Sequence, residues 1–341
     1  MSNPKVVRLS LVALVLLGLV VPAMAQQPAA TLTMKQLKPN VWVGLGGSGG
    51  NSTIIVGQTG VIVVDAKQTE QGAKDLLAEI AKITPKPVKT VMLTHSDGDH
   101  VNGLVAYPPG ITIIAHENNK KELQTALAAG GRGAPPADRL PTQVTTKQKE
   151  AMTIDGVKVE LYHFAPAHTS GDLMVYLPNE KIVSTGDIVV TNRADDNPNV
   201  HFEKNGSTDG WLKTVKGLIG LKAETYVTGH GDLVTKADLQ RKFEATTARR
   251  NKIAAMVKEG KSLDEIKAAL PDAPAPGAAP RGAGAPGGGA PPAPAAAPRG
   301  AGARAGGAPA AAGAAPAAAR GAATPAKTSV ETAYIELTAK K

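Results

Sequence analysis

The chain has 341 residues, and 42% of them are hydrophobic, enough to build a packed core. It has no cysteine, which excludes disulfides, thiolate metal ligands and cysteine nucleophiles and leaves His, Asp and Glu as the available metal donors. The formal charge is +9, but Lys5 and Arg8 supply two of these charges near the start and residues 271–327 a net four, so the body is near neutral and nucleic acid is not expected as a partner.

Residues 1–25 read as a cleavable secretory signal peptide. Lys5 and Arg8 precede an apolar run from Leu9 to Val21, and Ala23-Met24-Ala25 gives the small-x-small cleavage pattern. The run is too short for a comfortable membrane span, and no other stretch approaches that length. A periplasmic or secreted protein with no membrane span in its mature form is therefore expected, starting near Gln26.

From Thr31 to Asp65 the chain reads as β structure, with apolar β-formers at Val41–Val43, Thr53–Val56 and Val61–Val64. Gly44 to Asn51 holds five glycines in eight residues and is expected to be a mobile hairpin loop. Thr69 to Ile83 has apolar residues at helical spacing and stops before Pro85 and Pro87. Thr90–Leu93 and Ile111–Ala115 read as strands and Glu117–Ala129 as a helix, followed by an exposed loop from Gly130 to Pro136. Further strands are expected at Val157–Leu161, Leu173–Leu177, Lys181–Ser184 and Thr225–Thr228, with helices over Asp209–Leu221 and Lys236–Glu259. Each half runs strands and then helices interleaved with strands, which points to two αβ layers packed sheet against sheet. Residues 271–327 are nearly all Ala, Gly and Pro with scattered Arg and are expected to be disordered. Pattern returns over 328–341, where Ser329–Ala339 reads as a helix docking on the body formed by 26–270.

The chemistry concentrates in Thr94-His95-Ser96-Asp97-Gly98-Asp99-His100, where a buried strand ends abruptly in imidazoles and carboxylates. Such groups are costly to bury unless a partner, often a cation, satisfies them. His95, Asp97 and Asp99 alternate along the segment, while adjacent Asp99 and His100 point apart and can serve two different ions. Three more donors follow expected strands beside glycine: His168 near Gly171, Asp187 after Gly186, and His230 between Gly229 and Gly231. Sites in layered α/β folds gather at such strand ends. His116 reads as a capping or packing residue, and His163 as structural. His201, in the polar loop 193–205, is either solvated or lines a substrate cleft. Trp42 and Trp211 read as core or cleft wall.

This constellation resembles the metallo-β-lactamase superfamily over about residues 31–260. The family's His-x-His-x-Asp-His motif stands here as His95-Ser96-Asp97-Gly98-Asp99-His100, with Asp97 in place of the second His. The family's later His, bridging Asp and last His match His168, Asp187 and His230. The resemblance implies an αββα sandwich of the α/β (α+β) class with two divalent metal ions, usually zinc, at one edge of the sheets. It implies a first metal on His95, Asp97 and His168, a second on Asp99, His100 and His230, and Asp187 between them. Asp97 is a harder, more anionic donor than imidazole and opens the site to iron or manganese. The absence of cysteine excludes the cysteine-liganded β-lactamases, and Thr185-Gly186-Asp187 looks more like glyoxalase II and the lactonases.

The implied chemistry is hydroxide attack on an ester-like bond (lactone, thioester or β-lactam) of a small-molecule substrate, with Asp99 as the catalytic group that orients the nucleophile and takes its proton. Asp65 and Asp172 are the candidate carboxylates behind the metal-bound imidazoles. Gly49 and Asn51, in the loop where relatives carry a flap, are candidate substrate contacts together with His201. Phosphodiester cleavage, an iron-based redox role and non-enzymatic binding through residues 273–326 are the alternatives.

Overall fold

The computed structural model describes residues 31–130, 134–193, 195–272 and 327–339. The leader expected over 1–25, the tip of the loop expected at 130–136 and the Ala/Gly/Pro stretch 273–326 lie outside the described residues.

Two sheets form the centre. The first has seven strands in the order β1 (Leu32–Lys38), β2 (Val41–Gly46), β3 (Ser52–Val56), β4 (Val61–Val64), β5 (Val88–Met92), β6 (Thr112–His116) and β7 (Gln143–Thr145). It is antiparallel from β1 to β4 and parallel from β4 to β7. Helices α1 (Glu70–Ile83) and α3 (Glu117–Ala128) supply the parallel crossovers, and the short α2 (Gly98–Val101) follows β5. The second sheet runs β12 (Thr225–His230), β11 (Ile182–Val190), β10 (Met174–Leu177), β9 (Val157–Tyr162), β8 (Lys149–Ile154). Only its β11–β12 pair is parallel. Helix α4 (Thr208–Gly220) joins those two strands. Helices α5 (Lys236–Lys258), α6 (Leu263–Ala269) and α7 (Ser329–Thr338) complete the described chain.

Side-chain alternation explains the layering. In β4, Val61 and Val63 face the α1 side while Ile62 and Val64 face the second sheet. In β10, Val175 and Leu177 meet the first sheet, and Met174 and Tyr176 meet the layer containing Trp211 and Val215 of α4. Both faces of each sheet are thus covered, which accounts for the unbroken apolar runs in the central strands. The result is a helix–sheet–sheet–helix sandwich. Helix α7 closes a separate small core, with Val330 and Ala333 against Ile253, Val257 and Ile266.

Several elements depart from expectation. β2 continues through Gly44 to Gly46 because Gly44 pairs with Met34 and with Ser52, so part of the glycine stretch is strand interior. β11 runs on from Ser184 to Val190, which puts Asp187 inside the strand and not past its end. β8 and α6 carry patterns too short or too polar to be read from spacing, and pairing with β9 and a capping box at Ser262 define them instead.

Candidate metal centre

Five segments converge at one edge of the sandwich: β4 leads into Asp65, β5 into the 94–100 segment, the β9–β10 connection carries His168, β11 holds Asp187 within it and β12 ends in His230. The two sheets are tied together there. Thr53 Oγ1 and Ser184 Oγ lie 2.7 Å apart, Leu173 N donates to Thr94 O at 2.7 Å, and Asn51 N donates to Gly229 O at 2.7 Å.

The imidazoles are oriented from behind. The Thr94 hydroxyl donates to Asp65 Oδ2 at 2.7 Å and takes the His95 Nδ1 hydrogen at 2.9 Å. His100 Nδ1 is 2.8 Å from the same Asp65 oxygen. His168 Nδ1 donates to Asn199 O at 3.0 Å. With Nδ1 engaged, each ring turns Nε2 inward, the arrangement in which an outer partner fixes the tautomer of a ligating histidine.

Inside, the donors crowd one another. His168 Nε2 is 3.0 Å from Asp97 Oδ2, His230 Nε2 is 2.9 Å from Asp99 Oδ2, and His100 Nε2 is 3.3 Å from His230 Nε2. Asp187 Oδ1 is 3.2 Å from His100 Nε2, and its Oδ2 is 3.9 Å from His168 Nε2, so this carboxylate faces both halves of the cluster. Three groups each bring donor atoms within 4.8 Å of one another: His95, Asp97 and His168; His95, His100 and Asp187; and Asp99, His100 and His230. His95 Nε2 and Asp187 Oδ1 are buried without a hydrogen-bond partner, although the surrounding donors are close. An unpaired buried nitrogen and oxygen aimed into a knot of imidazoles and carboxylates fit divalent cations, which satisfy both atom types at once.

The electrostatics agree with that fit. Burial pushes the Asp97 and Asp187 carboxyls up, but the surrounding imidazoles outweigh it and hold both well below the usual carboxylate range. Burial pushes His100 and His168 down, yet their neighbours, Asp65 and Asp187 for the first and Asp97 for the second, raise His100 well above the ordinary value and His168 to about 9. Acids and bases thus stabilise each other's charged forms around a point that favours positive charge.

The remaining predicted residues divide. Gly49 and His201 line the open cleft over the cluster, a cavity of about 620 Å³, together with Gln68, Asn102, Asp99 and His230. At Gly49 a Cβ would fall 2.3 Å from Asp99 O, so only glycine permits this approach. Asn51 is not a cleft residue. It is 4% exposed and braces the sheets by donating to Thr228 O at 3.0 Å and Gly231 O at 2.9 Å. The Asp172 carboxylate touches no imidazole among the described contacts; it accepts from Ala167 N and Thr169 N and shapes the loop that carries His168, while its backbone carbonyl accepts from His163 Nδ1 at 2.8 Å. His116 caps α3 by accepting from Asn118 N and stacks on His163 at 4.0 Å, apart from the cluster.

Sequence reasoning overlooked Thr94, Asn199, Lys67 and Lys204. Lys67 is fully buried and its ammonium donates to Gly44 O, Gly46 O and Gly50 O at 3.2, 2.8 and 2.7 Å, pinning the glycine loop expected to be mobile. Lys204 is ion-paired with Asp97. A lysine following an apolar strand was the available signal for the first; the second had none beyond its place in the polar loop.

A family model described as the metallo-beta-lactamase superfamily matches residues 45–230. The 2,4-dinitroanisole O-demethylase subunit alpha of a Nocardioides species is 26% identical over 226 residues, covering 66% of this chain and 64% of that protein. A linear primary-alkylsulfatase of a Pseudomonas species is 22% identical over 217 residues, covering 52% of this chain and 40% of that protein. The chain therefore spans less than two thirds of the length of either relative. Among solved structures, a metallo-beta-lactamase from Pontibacter korlensis superposes with a TM-score of 0.53 at 19% identity, covering 64% of this chain and 99% of that one, a likeness of fold.

Proposed function

The chain belongs to the metallo-beta-lactamase superfamily, and we propose that it is an exported metal-dependent hydrolase of an ester-like bond in a small molecule: a lactone, thioester or β-lactam. The observation that carries this reading is the convergence of His95, Asp97, Asp99, His100, His168, Asp187 and His230, with His95 Nε2 and Asp187 Oδ1 buried and unpartnered. His95, Asp97 and His168 would hold one divalent cation, Asp99, His100 and His230 a second, and Asp187 would lie between them. Zinc suits this nitrogen and oxygen donor set, and Asp97 widens the choice to iron or manganese.

Divalent cations held there supply Lewis acidity, which brings water toward hydroxide near neutral pH and draws charge from the electrophilic centre. The chain's own groups do the rest. Asp99, with its side chain 31% exposed at the cleft, orients the attacking water and takes its proton on a carboxylate oxygen, then returns it to the leaving group. The contact between Gly50 N and Asp99 O at 3.0 Å fixes the backbone of this residue. Gln68 and Asn102 offer neutral amides to the substrate.

The described residues lining the cleft include carboxylates and imidazoles but no Lys or Arg, which favours a neutral carbonyl substrate over a phosphodiester. Sulfate-ester hydrolysis is the second reading and rests on the likeness to the alkylsulfatase. Zinc-loaded protein should turn over lactone, thioester or nitrocefin, and Asp99→Ala should reduce the rate by about a hundredfold or more. Turnover confined to alkyl sulfate or bis-p-nitrophenyl phosphate, or turnover indifferent to Asp99→Ala, would reject the carbonyl-ester assignment. Export rests on the sequence pattern of residues 1–25, and an amino terminus near Gln26 on protein recovered from the periplasm or medium tests it.

A further inference from the structure

The residue at position 97 brings a carboxylate to a place where an imidazole would leave the first cation site less negative, and the structure places a cation beside it. Lys204 Nζ is paired with Asp97 Oδ1 and lies 3.1 Å from Ser96 Oγ. The other carboxylate oxygen, Oδ2, faces the imidazoles, 3.0 Å from His168 Nε2 and 3.1 Å from His201 Nδ1. The two oxygens therefore have separate tasks: one meets the ammonium and one faces the site.

Lys204 is held by the same backbone that carries a ligand. It ends a short turn, Phe202–Lys204, followed by Asn205 in the left-handed conformation at φ 56°. His201 N donates to His168 O at 2.8 Å, Ser170 N to Lys204 O at 2.8 Å and Ser207 N to Ala167 O at 2.8 Å. A Cβ on Gly206 would fall 2.3 Å from His168 O, so the turn and the His168 loop are packed at closest approach. The nearby Glu122 does not compete for the ammonium. Its two oxygens accept from the hydroxyls of Ser96 and Ser170, the latter at 2.6 Å.

We infer that Lys204 is the counter-charge of Asp97, an ammonium that returns the first cation site to the net charge it would have with a neutral histidine at position 97. Asp97 and Lys204 act as one unit, and neither is a substitute for histidine alone. Removing the ammonium leaves a more negative site that binds a divalent cation more tightly, whereas replacing the carboxylate leaves an uncompensated cation facing the metal. Two unit charges a few ångströms apart at a partly exposed site shift affinity on the order of tenfold. This inference rests on the divalent-cation reading of the site.

The test is zinc affinity of the purified full chain, measured by competition with a chromophoric chelator, for the parent, Lys204→Met, Lys204→Arg, Asp97→His and the double variant Asp97→His/Lys204→Met. Lys204→Met should bind its weaker zinc about tenfold more tightly, and Lys204→Arg should match the parent. Asp97→His should bind about tenfold more weakly, and the double variant should return to near the parent value. Visible absorption of the cobalt-substituted forms reports whether the first site is filled, and thermal melting of the metal-free forms identifies any variant that has lost the fold. Unchanged or weaker zinc binding in Lys204→Met, or a double variant that binds as weakly as Asp97→His, overturns the pairing. Absence of zinc binding in the folded parent overturns the cation reading and the pairing with it.

Discussion

Asp65 carries more of the site than any ligand does individually, because one carboxylate orients two imidazoles. It accepts from Thr94 N and Thr94 Oγ1 and contacts His100 Nδ1 while itself held at φ 64°. Asp65→Asn leaves a buried network half satisfied, so the metal-free protein should lose about 2–4 kcal/mol in urea denaturation and zinc affinity should fall about 10–100-fold. His116 gives the fold a dependence on pH. His116 accepts from Asn118 N at the start of α3, and burial, then the neighbouring His163 ring, lowers its pKa from 6.5 to about 4. Between those values the unfolded chain binds more protons than the folded one. Its contribution is intact above pH 6.5 and is lost as the pH falls toward 4, by about 3 kcal/mol. Denaturation at pH 7 and 4.5 should show that loss, and His116→Asn, which keeps a capping oxygen, should remove this component. His95, Asp99, His100, His168 and His230 are legible in the sequence because each lies past an expected strand, within three residues of a glycine. Asn51 and Lys204 are not, since Asn51 bonds to Thr228, 177 residues away, and Lys204 meets Asp97 across 107.

At the scale of elements, two attachments hold the cleft's surroundings in place. The glycine stretch after β2 is fastened by the three carbonyl contacts of Lys67. Gly50 packs so closely that a Cβ there would fall 2.2 Å from the His100 ring. Lys67→Met removes the fastening, and amide hydrogen exchange over Gly46–Gly50 should accelerate while the β5 amides stay protected. The loop was expected to be mobile because five glycines carry no side chain to anchor them; the anchor comes from outside the loop, and composition does not reveal it. The second attachment is α7. Glu336 accepts from Thr208 N at 2.7 Å and Asp209 N at 3.3 Å at the start of α4, directly after the turn bearing Lys204. Glu336→Gln should cost about 1 kcal/mol of stability through the weakened cap. Protein lacking residues 328–341 should lose more, and hydrogen exchange at the first turn of α4 reads both.

For the whole molecule, the sandwich brings together donors from Asp65 to His230 by stacking two sheets whose ends meet at one edge. Burial on both sheet faces erases the polar–apolar alternation that marks half-exposed strands, so the central strands are legible as apolar runs; their division between two sheets is read from the way each half of the chain runs strands and then interleaved helices, and the motif resemblance agrees. Because the donor groups come from both sheets, a bound cation links them, and zinc-loaded protein should melt at least about 5 °C above chelator-treated protein. No helix among the described residues is long and apolar enough to cross a membrane. Everything at this edge of the sheets depends on these donors holding divalent cations. Crystals grown with zinc and measured across its absorption edge test it most directly. Two anomalous peaks are predicted, one among His95, Asp97 and His168 and one among Asp99, His100 and His230, with Asp187 between them; a zinc-saturated crystal with no peak at this edge of the sheets would contradict it.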